Sequence, residues 1–519
     1  MCETDTTAPT APVRVRMYRH GLGDCFLLTL PSTGERPFYL MIDCGVILGT
    51  ANPKDKMRAV VQDLIATTGG HIDLLAITHE HYDHLSGFLQ AKELFAVGTE
   101  ADIIDSDGHG DGDGKLHIHN LWLPWTEDPQ DDLARLLRGQ RQQAEHGLRL
   151  ALQGLRAAEA AARETDHALG ADDGNGDGGD SPFSIAGQVE SLLSFFGATA
   201  RRGTAGALEA VHDYAREAPR YLRPTDPPIV LETVPGIRVY VLGPPQDEKL
   251  IKKSRPSRSH PEVYEAAFGL TPGNAFLAAV LDPQAAEEWG FSDLQELSQP
   301  FDRRYRIPLP EAEQLPFFKA RYWGQAQEDE YRDQSWRRID ADWLRSAVDL
   351  ALKLDSDTNN TSLVLALEII ASGEVLLFPG DAQVGNWLSW GALTWTLDDG
   401  TVVTGDDLLS RTVLYKVGHH GSHNATLREK GLERMVHEDL VALVPVDHAM
   451  AVKKGWGKIP FQPLLDRLAE KTQGRVLRAD APEKLQDQKA PKNVPAATWK
   501  RFQERVEEEA LYFEVRVGG

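Results

Sequence analysis

Cysteine is nearly absent, with Cys2, Cys25 and Cys44 the only three in 519 residues. So sparse and odd a set cannot build a disulfide scaffold and suits a reducing compartment; Cys25 and Cys44, in apolar segments, read as small buried side chains. No apolar run approaches the length of a membrane-spanning helix, and the opening MCETDTTAPTAPV has neither the basic nor the apolar part of a signal sequence. A cytoplasmic location without membrane contact is therefore expected. Positive charge is also short: 55 Lys and Arg stand against 78 Asp and Glu, a formal net charge of -23. That balance opposes broad adhesion to polyanions, so any nucleic-acid contact must be local or helped by the charge of bound metal. No repeat of fixed period is present. With 41% hydrophobic and 26% charged residues the chain otherwise has the composition of a folded globular protein.

Two stretches carry α/β punctuation. From Val13 the text VRVRMYRH, GLGD, CFLLTL, PSTGE, FYLMID reads as strands separated by turns. A helix is expected over about Lys54 to Thr68, with Met57, Val60, Val61, Leu64 and Ile65 on one face, and then an apolar strand, IDLLAI. After Asp342 the same grammar returns, with VLALEII, EVLLFPGD, TVLYKVG and LVALVPV each ending in polar residues. Between them lie an acidic Gly-rich loop, the strand LHIHNLWLPW and a long helix over Asp131 to Leu169. The low-complexity loop Gly170 to Pro182, further helix over Gln188 to Glu217 and a strand near 237–245 follow. The expected organisation is a first half over 13–130, a mainly helical insertion over 131–340, a second half over 341–480, and a charged extension over 481–519 with a final strand.

The chemistry gathers at THEHYDHLSG, Thr78 to Gly87, which places His79, His81, Asp83 and His84 within six residues just after an apolar strand. A strand delivers such residues to the carboxyl edge of a sheet, where open α/β sheets bind ligands. Scattered histidines are common in a chain holding 17 of them. The pattern HxHxDH is different, because His79 and His81 can converge on one ion while Asp83 and His84 face a second. Imidazole with carboxylate suits zinc, manganese or iron. The second half offers what such a pair still lacks. Asp381 follows VLLFPG, with Gly380 permitting a tight turn, and could span two ions; His419 and His420 follow TVLYKVG and precede Gly421, Ser422 and His423.

THEHYDHLSG, HGLGDCFLL, MIDCG, NNTSLVLAL, VLLFPGDA and KVGHHGSHNAT resemble the motifs of the metallo-β-lactamase fold, most closely the soluble domain of DNA-uptake competence channel proteins. The resemblance covers about residues 13 to 130 and 342 to 450. It implies an αββα sandwich of two half-domains with two divalent metal ions, Zn or Mn, at the shared edge; the large, mainly helical insertion between the halves lies outside the resemblance. His79 and His81 would bind one metal, Asp83 and His84 the other, with Asp381 bridging and either His419 or His420 completing the second. Asp43 of MIDCG would orient ligand imidazoles. A further histidine that many members use for the first metal has no clear equivalent; His109, His117 and His119 lie in the right part of the chain.

Two such metals activate water and neutralise charge on a phosphorus centre. Asp83, Asp381, Ser422 and His423 are the catalytic candidates, and Asn359, Asn360 and Lys416 candidates for substrate contact; Lys416 also reads as an outward strand residue, and the asparagines as turn residues. The leading expectation is a metal-dependent phosphodiesterase or nuclease acting on DNA, by analogy in bacterial defence. A hydrolase of small phosphodiesters, of cyclic nucleotide or phosphocholine type, is the alternative. A third reading is a protein that binds a partner through its helical insertion and keeps only a vestigial metal site. Proteolysis or a partner acting at Gly170 to Pro182 could uncover the site, although a passive linker is the better reading of that loop.

Overall fold

A computed structural model describes residues 11–98, 114–168, 185–197, 203–253, 307, 309–312, 314–322 and 346–518. His109, the Gly170 to Pro182 loop and most of the Pro-punctuated stretch after Gln246 lie outside the described residues. The chain is mixed α/β and divides into two compact units. Met1–Arg141, Ser194–Ala267 and Asp355–Gly519 form the first; Gln142–Leu193 and Phe268–Leu354 form the second.

Among the described residues, every strand belongs to unit 1. Numbered along the chain these are β1 (Val13–Tyr18), β2 (Cys25–Leu30), β3 (Phe38–Cys44), β4 (His71–Ala76), β5 (His117–Pro124), β6 (Arg220–Leu222), β7 (Ile229–Leu231), β8 (Val234–Gly243) and β9 (Val364–Ile369). They continue as β10 (Val375–Phe378), β11 (Thr394–Thr396), β12 (Val402–Thr404), β13 (Thr412–Lys416), β14 (Val441–Val444), β15 (Val476–Arg478), β16 (Val506–Glu508) and β17 (Tyr512–Val517). One sheet has the order β16-β17-β1-β2-β3-β4-β5-β6, the other β15-β14-β13-β10-β9-β8-β7, and β11 and β12 pair by themselves. β1 to β3 are antiparallel, whereas β3, β4, β5 and β6 run parallel. β10, β13, β14 and β15 are likewise parallel.

Nearly every residue of the central strands is apolar and buried, as expected for strands covered on both faces. One apolar layer takes residues from both sheets: Val15, Leu28, Leu40 and Leu74 from the first join Val239, Leu365, Leu376 and Leu443 from the second. On the other face of the first sheet, Leu27, Met41 and Leu75 pack with the helix Pro53–Thr68 through Met57, Val60, Val61 and Leu64. That helix begins with Pro at its first turn and ends on Gly69 in a left-handed conformation, the usual asymmetry of helix ends.

Two sequence expectations change in register or context. The helix read across Gln188 to Glu217 is broken into Ile185–Leu193, a single turn at Ser194–Phe196, and Gly203–Tyr214. The charged extension is no appendage, because β17 pairs along the whole of β1, from Val13 with Val517 to Tyr18 with Tyr512. In unit 2, Leu148, Leu152 and Leu155 recur at helical spacing and are buried, as are Ala186, Val189 and Leu192, and Arg156 pairs with Glu190 at 2.7 Å. Among the described residues no helix is long and apolar enough to cross a membrane.

Candidate metal centre

The segments that follow β3 and β4, and the turn between β1 and β2, meet backbone to backbone. Asp24 N–H donates to Asp83 O at 3.0 Å, and Gly45 N–H donates to Asp24 O at 3.0 Å. Side chains are excluded at two of these crossings: a Cβ on Gly23 would lie 2.3 Å from Gly45 O, and one on Gly45 would lie 2.4 Å from the Asp83 carbonyl carbon. The close approach places four carboxylates, Asp24, Asp43, Asp83 and, from the end of β10, Asp381, around the imidazoles of His84 and His420, all buried.

Donor atoms of Asp83, His84, Asp381 and His420 lie within 4.8 Å of one another. Each imidazole has one nitrogen tied behind it. His84 Nδ1 is 2.7 Å from Asp43 Oδ2, and His420 Nδ1 is 2.7 Å from the Pro445 carbonyl, which can only accept. Their Nε2 atoms then face carboxylates: His84 to Asp381 Oδ2 at 3.2 Å, His420 to Asp83 Oδ2 at 2.9 Å. An Nε2 lone pair facing a carboxylate oxygen is repulsive unless a cation lies between them. Without a metal a proton serves: burial pulls the His84 pKa down, but Asp381, Asp43, Asp24 and Asp83 together hold it well above the ordinary value. His420 is likewise raised, burial being outweighed by its bond to Asp83 and by the Asp381 and Asp24 carboxylates. This donor set fits a divalent cation, with Asp43 and Pro445 O as the outer supports that ligand imidazoles require.

Of the two adjacent histidines, His420 therefore joins the cluster. His419 contributes its backbone N–H to Asp381 Oδ1 at 2.8 Å, while its ring meets Ser422 Oγ at 2.9 Å and leaves Nε2 without a partner. Both residues have positive φ, 43° and 54°, a strained pair that turns the two rings apart, 6.0 Å between centroids.

His79 and His81 stand together on the other side, His79 Nε2 being 3.0 Å from His81 Nδ1, with Thr78 Oγ1 3.0 Å from His79 Nδ1. Burial keeps both neutral, His81 pushed down to about 3, and His81 Nε2 has no partner. The His81 ring meets Phe195, stacked at 5.2 Å, and Phe196, edge-on at 4.9 Å. Phe195 in turn stacks on Trp456 at 4.8 Å. His117 and His119 are far from this edge: β5 runs parallel to β4 with His117 level with His71, and the strand carries both of them at the opposite end from Thr78. His117 lines a 240 Å³ cavity there with His71, Asp73 and Arg216.

Lys416 points inward and is 1% exposed. Its ammonium donates to Gly380 O at 2.7 Å and Asp381 Oδ1 at 2.9 Å and pairs with Asp24, so no donor remains for a substrate phosphate, and β13 does not carry it outward. Asn360 is consumed by backbone, donating to Ile251 O and Lys253 O and accepting from Asn386 N–H. Asn359 donates to Asp355 Oδ2 at 3.2 Å, and its Oδ1 has no partner. Asp355 is buried, its pKa well raised by burial and then by the Asp83 and Asp381 carboxylates, and its Oδ1 is also without a partner. His423 packs on Phe461 with ring centroids 6.0 Å apart and is not among the donors that meet.

Sequence reading passed over Asp24, Asp355 and the Phe195–Phe196 pair. Only Asp24 had a signal, its place in GLGDC beside two glycines. Asp24 and Asp43 also approach His84, but at Nδ1, with Lys416 already on Asp24, so they orient the ring from behind. Comparisons with known proteins return no match of this chain to any family model, curated protein or solved structure.

Proposed function

We propose that the chain is a dinuclear-metal-dependent hydrolase of phosphodiesters, built on the metallo-β-lactamase plan, its two sheets forming the inner layers of an αββα sandwich and unit 2 its insertion. The observation that carries this reading is the pair of Nε2-to-carboxylate approaches, His84 to Asp381 and His420 to Asp83, drawn from three segments of which the first lies 297 and 337 residues from its partners in the other two. Asp83, His84, Asp381 and His420 would hold one cation, and His79 and His81, with Asp381 shared, the other; zinc or manganese suits this donor set. Bound there, the ions would supply Lewis acidity and a water of lowered pKa. Asp43 keeps His84 Nε2 turned inward, and Lys416 with the His419 N–H fixes the rotamer of Asp381. With the imidazole protons displaced, four carboxylates against one lysine leave a negative pocket that divalent cations would neutralise.

Buried polar atoms without partners surround the same spot: His81 Nε2, Asp83 Oδ1, His419 Nε2, Asp355 Oδ1 and Asn359 Oδ1. Such orphans cost about 1–3 kcal/mol each unless something polar occupies the space. Metal and substrate oxygens would satisfy them. A nucleic acid, DNA first, is the substrate that follows from the motif resemblance, entering as a single strand because the net charge of -23 disfavours wide duplex contact. One observation favours a small phosphodiester instead: the donors are fully buried, and Phe195, 3% exposed, lies over His81.

The test is incubation of the purified chain, supplied with zinc or manganese, with single- and double-stranded DNA, RNA and a chromogenic phosphodiester, beside Asp83→Ala and Asp381→Ala. Metal-dependent cleavage lost in both variants is the expected result. Turnover of the small ester alone selects the second reading, and no turnover of any substrate overturns both.

A further inference from the structure

Glu80 separates His79 from His81, and its surroundings are unlike theirs. It is 8% exposed, and its carboxylate pairs with the guanidinium of Arg141, itself 9% exposed. Thr204 Oγ1, on the helix Gly203–Tyr214, adds a hydrogen bond to Glu80 Oε1 at 3.3 Å. The same guanidinium lies 3.7 Å from Glu127, a buried acid in the turn after β5. Arg138, one helical turn before Arg141, donates to Thr126 O at 2.7 Å and Asp128 O at 3.2 Å in that turn. Two arginines of one helix thus bind the segment after β4 to the segment after β5.

A buried ion pair is weak evidence of stability, since desolvation offsets most of its attraction, but it fixes geometry strongly. Here the geometry is that of the HxHxDH segment. The Glu80 side chain is held by the helix while the rings of its two neighbours meet each other at 3.0 Å. His81 is extended, with φ -103° and ψ 151°, and has no side-chain hydrogen bond on Nε2 to hold it. Its orientation therefore depends on the Nδ1 contact with His79, on aromatic packing and on the anchoring of the preceding residue.

We propose that Arg141 is a positioning residue for the His79–His81 cation site, acting through Glu80 to hold the backbone from which both imidazoles are presented. This inference rests on the metal reading above. Arg141 touches neither cation nor substrate. Removing either partner of the pair frees the same segment, so the two losses should not add.

The test uses the full chain with Zn²⁺ as the probe, competed against a chromophoric chelator, and Co²⁺ absorption as a report on ligand geometry. His81→Ala identifies which of the two binding steps belongs to the His79–His81 side. Arg141→Met, Glu80→Ala and their double variant are each expected to weaken that step by about 10- to 100-fold, as loss of a supporting group does. The other step should stay within about twofold, the double should be no worse than the worse single, and Arg141→Lys should recover most of the loss. Should Arg141→Met fail to fold, Glu80→Ala, which leaves no carboxylate behind, decides alone. Unchanged Zn²⁺ affinity and Co²⁺ spectrum in the variants, with wild type binding two ions, overturns this inference and spares the metal reading. Two additive losses overturn it as well. A wild-type chain that binds no Zn²⁺ overturns both.

Discussion

The two sides of the cluster differ in how they are finished. Around His84 and His420 every ring nitrogen has a defined neighbour, Asp43 and Pro445 O behind, Asp381 and Asp83 in front, and the acid groups raise the pKa of both imidazoles against the pull of burial. Around His79 and His81 the rings are neutral and lean on each other, and Phe195 and Phe196 pack against the His81 ring. One side is set by charge, the other by packing. With the metal reading in place, this difference makes the first a tight, pH-dependent cation site and the second a weaker, exchangeable one, because affinity follows the number and preorganisation of the ligands.

The largest effect should come from the charge that holds the first side together. Lys416→Met leaves Asp24 and Asp381 buried without their cation and should cost about 3–5 kcal/mol in the metal-free chain, read from urea unfolding. Added zinc should return part of that loss, and a loss confined to a few tenths would break the contrast. Protonation gives the next. His84 and His420 have pKa values raised above the ordinary one, so below those raised values both carry protons that a metal must displace. Affinity at this side should therefore rise with pH, by about two decades per pH unit below those raised values, with about two protons released on binding. Titration calorimetry in buffers of different ionisation enthalpy counts them; no release would remove the distinction between the sides. Asp43→Asn should weaken the same step by about 10- to 100-fold while leaving the His79–His81 step unchanged, as metal titration would show. Smallest, Phe195→His offers an imidazole beside His81 and should tighten the weaker step by roughly tenfold or less, measured by chelator competition.

Much of this site was legible because its residues come in local patterns. His79, His81, Asp83 and His84 share one turn, and Asp381 and the histidine pair each follow an apolar strand, so reading strand ends was enough to nominate them. The choice between His419 and His420 was not legible, since it depends on two consecutive positive φ angles that no propensity announces. His117 and His119 looked eligible by chain position, yet a parallel register places them at the far end of their strand. Lys416 was read as outward or as a phosphate contact because alternation along a strand does not say that both faces are covered.

The amino-acid sequence by itself determined the strand-and-turn text, the helix Pro53–Thr68, the HxHxDH cluster and the glycines that allow its turns, all of which depend on neighbours a few residues apart. Only the tertiary structure decided that Asp24 and Lys416 pair across nearly four hundred residues, that Arg141 holds Glu80, that Phe195 stacks on His81, and that β17 lies along β1. Those contacts join residues whose separation along the chain carries no information about distance, and the ion pairs among them form because burying a charge obliges the fold to bring its counter-charge to the same place.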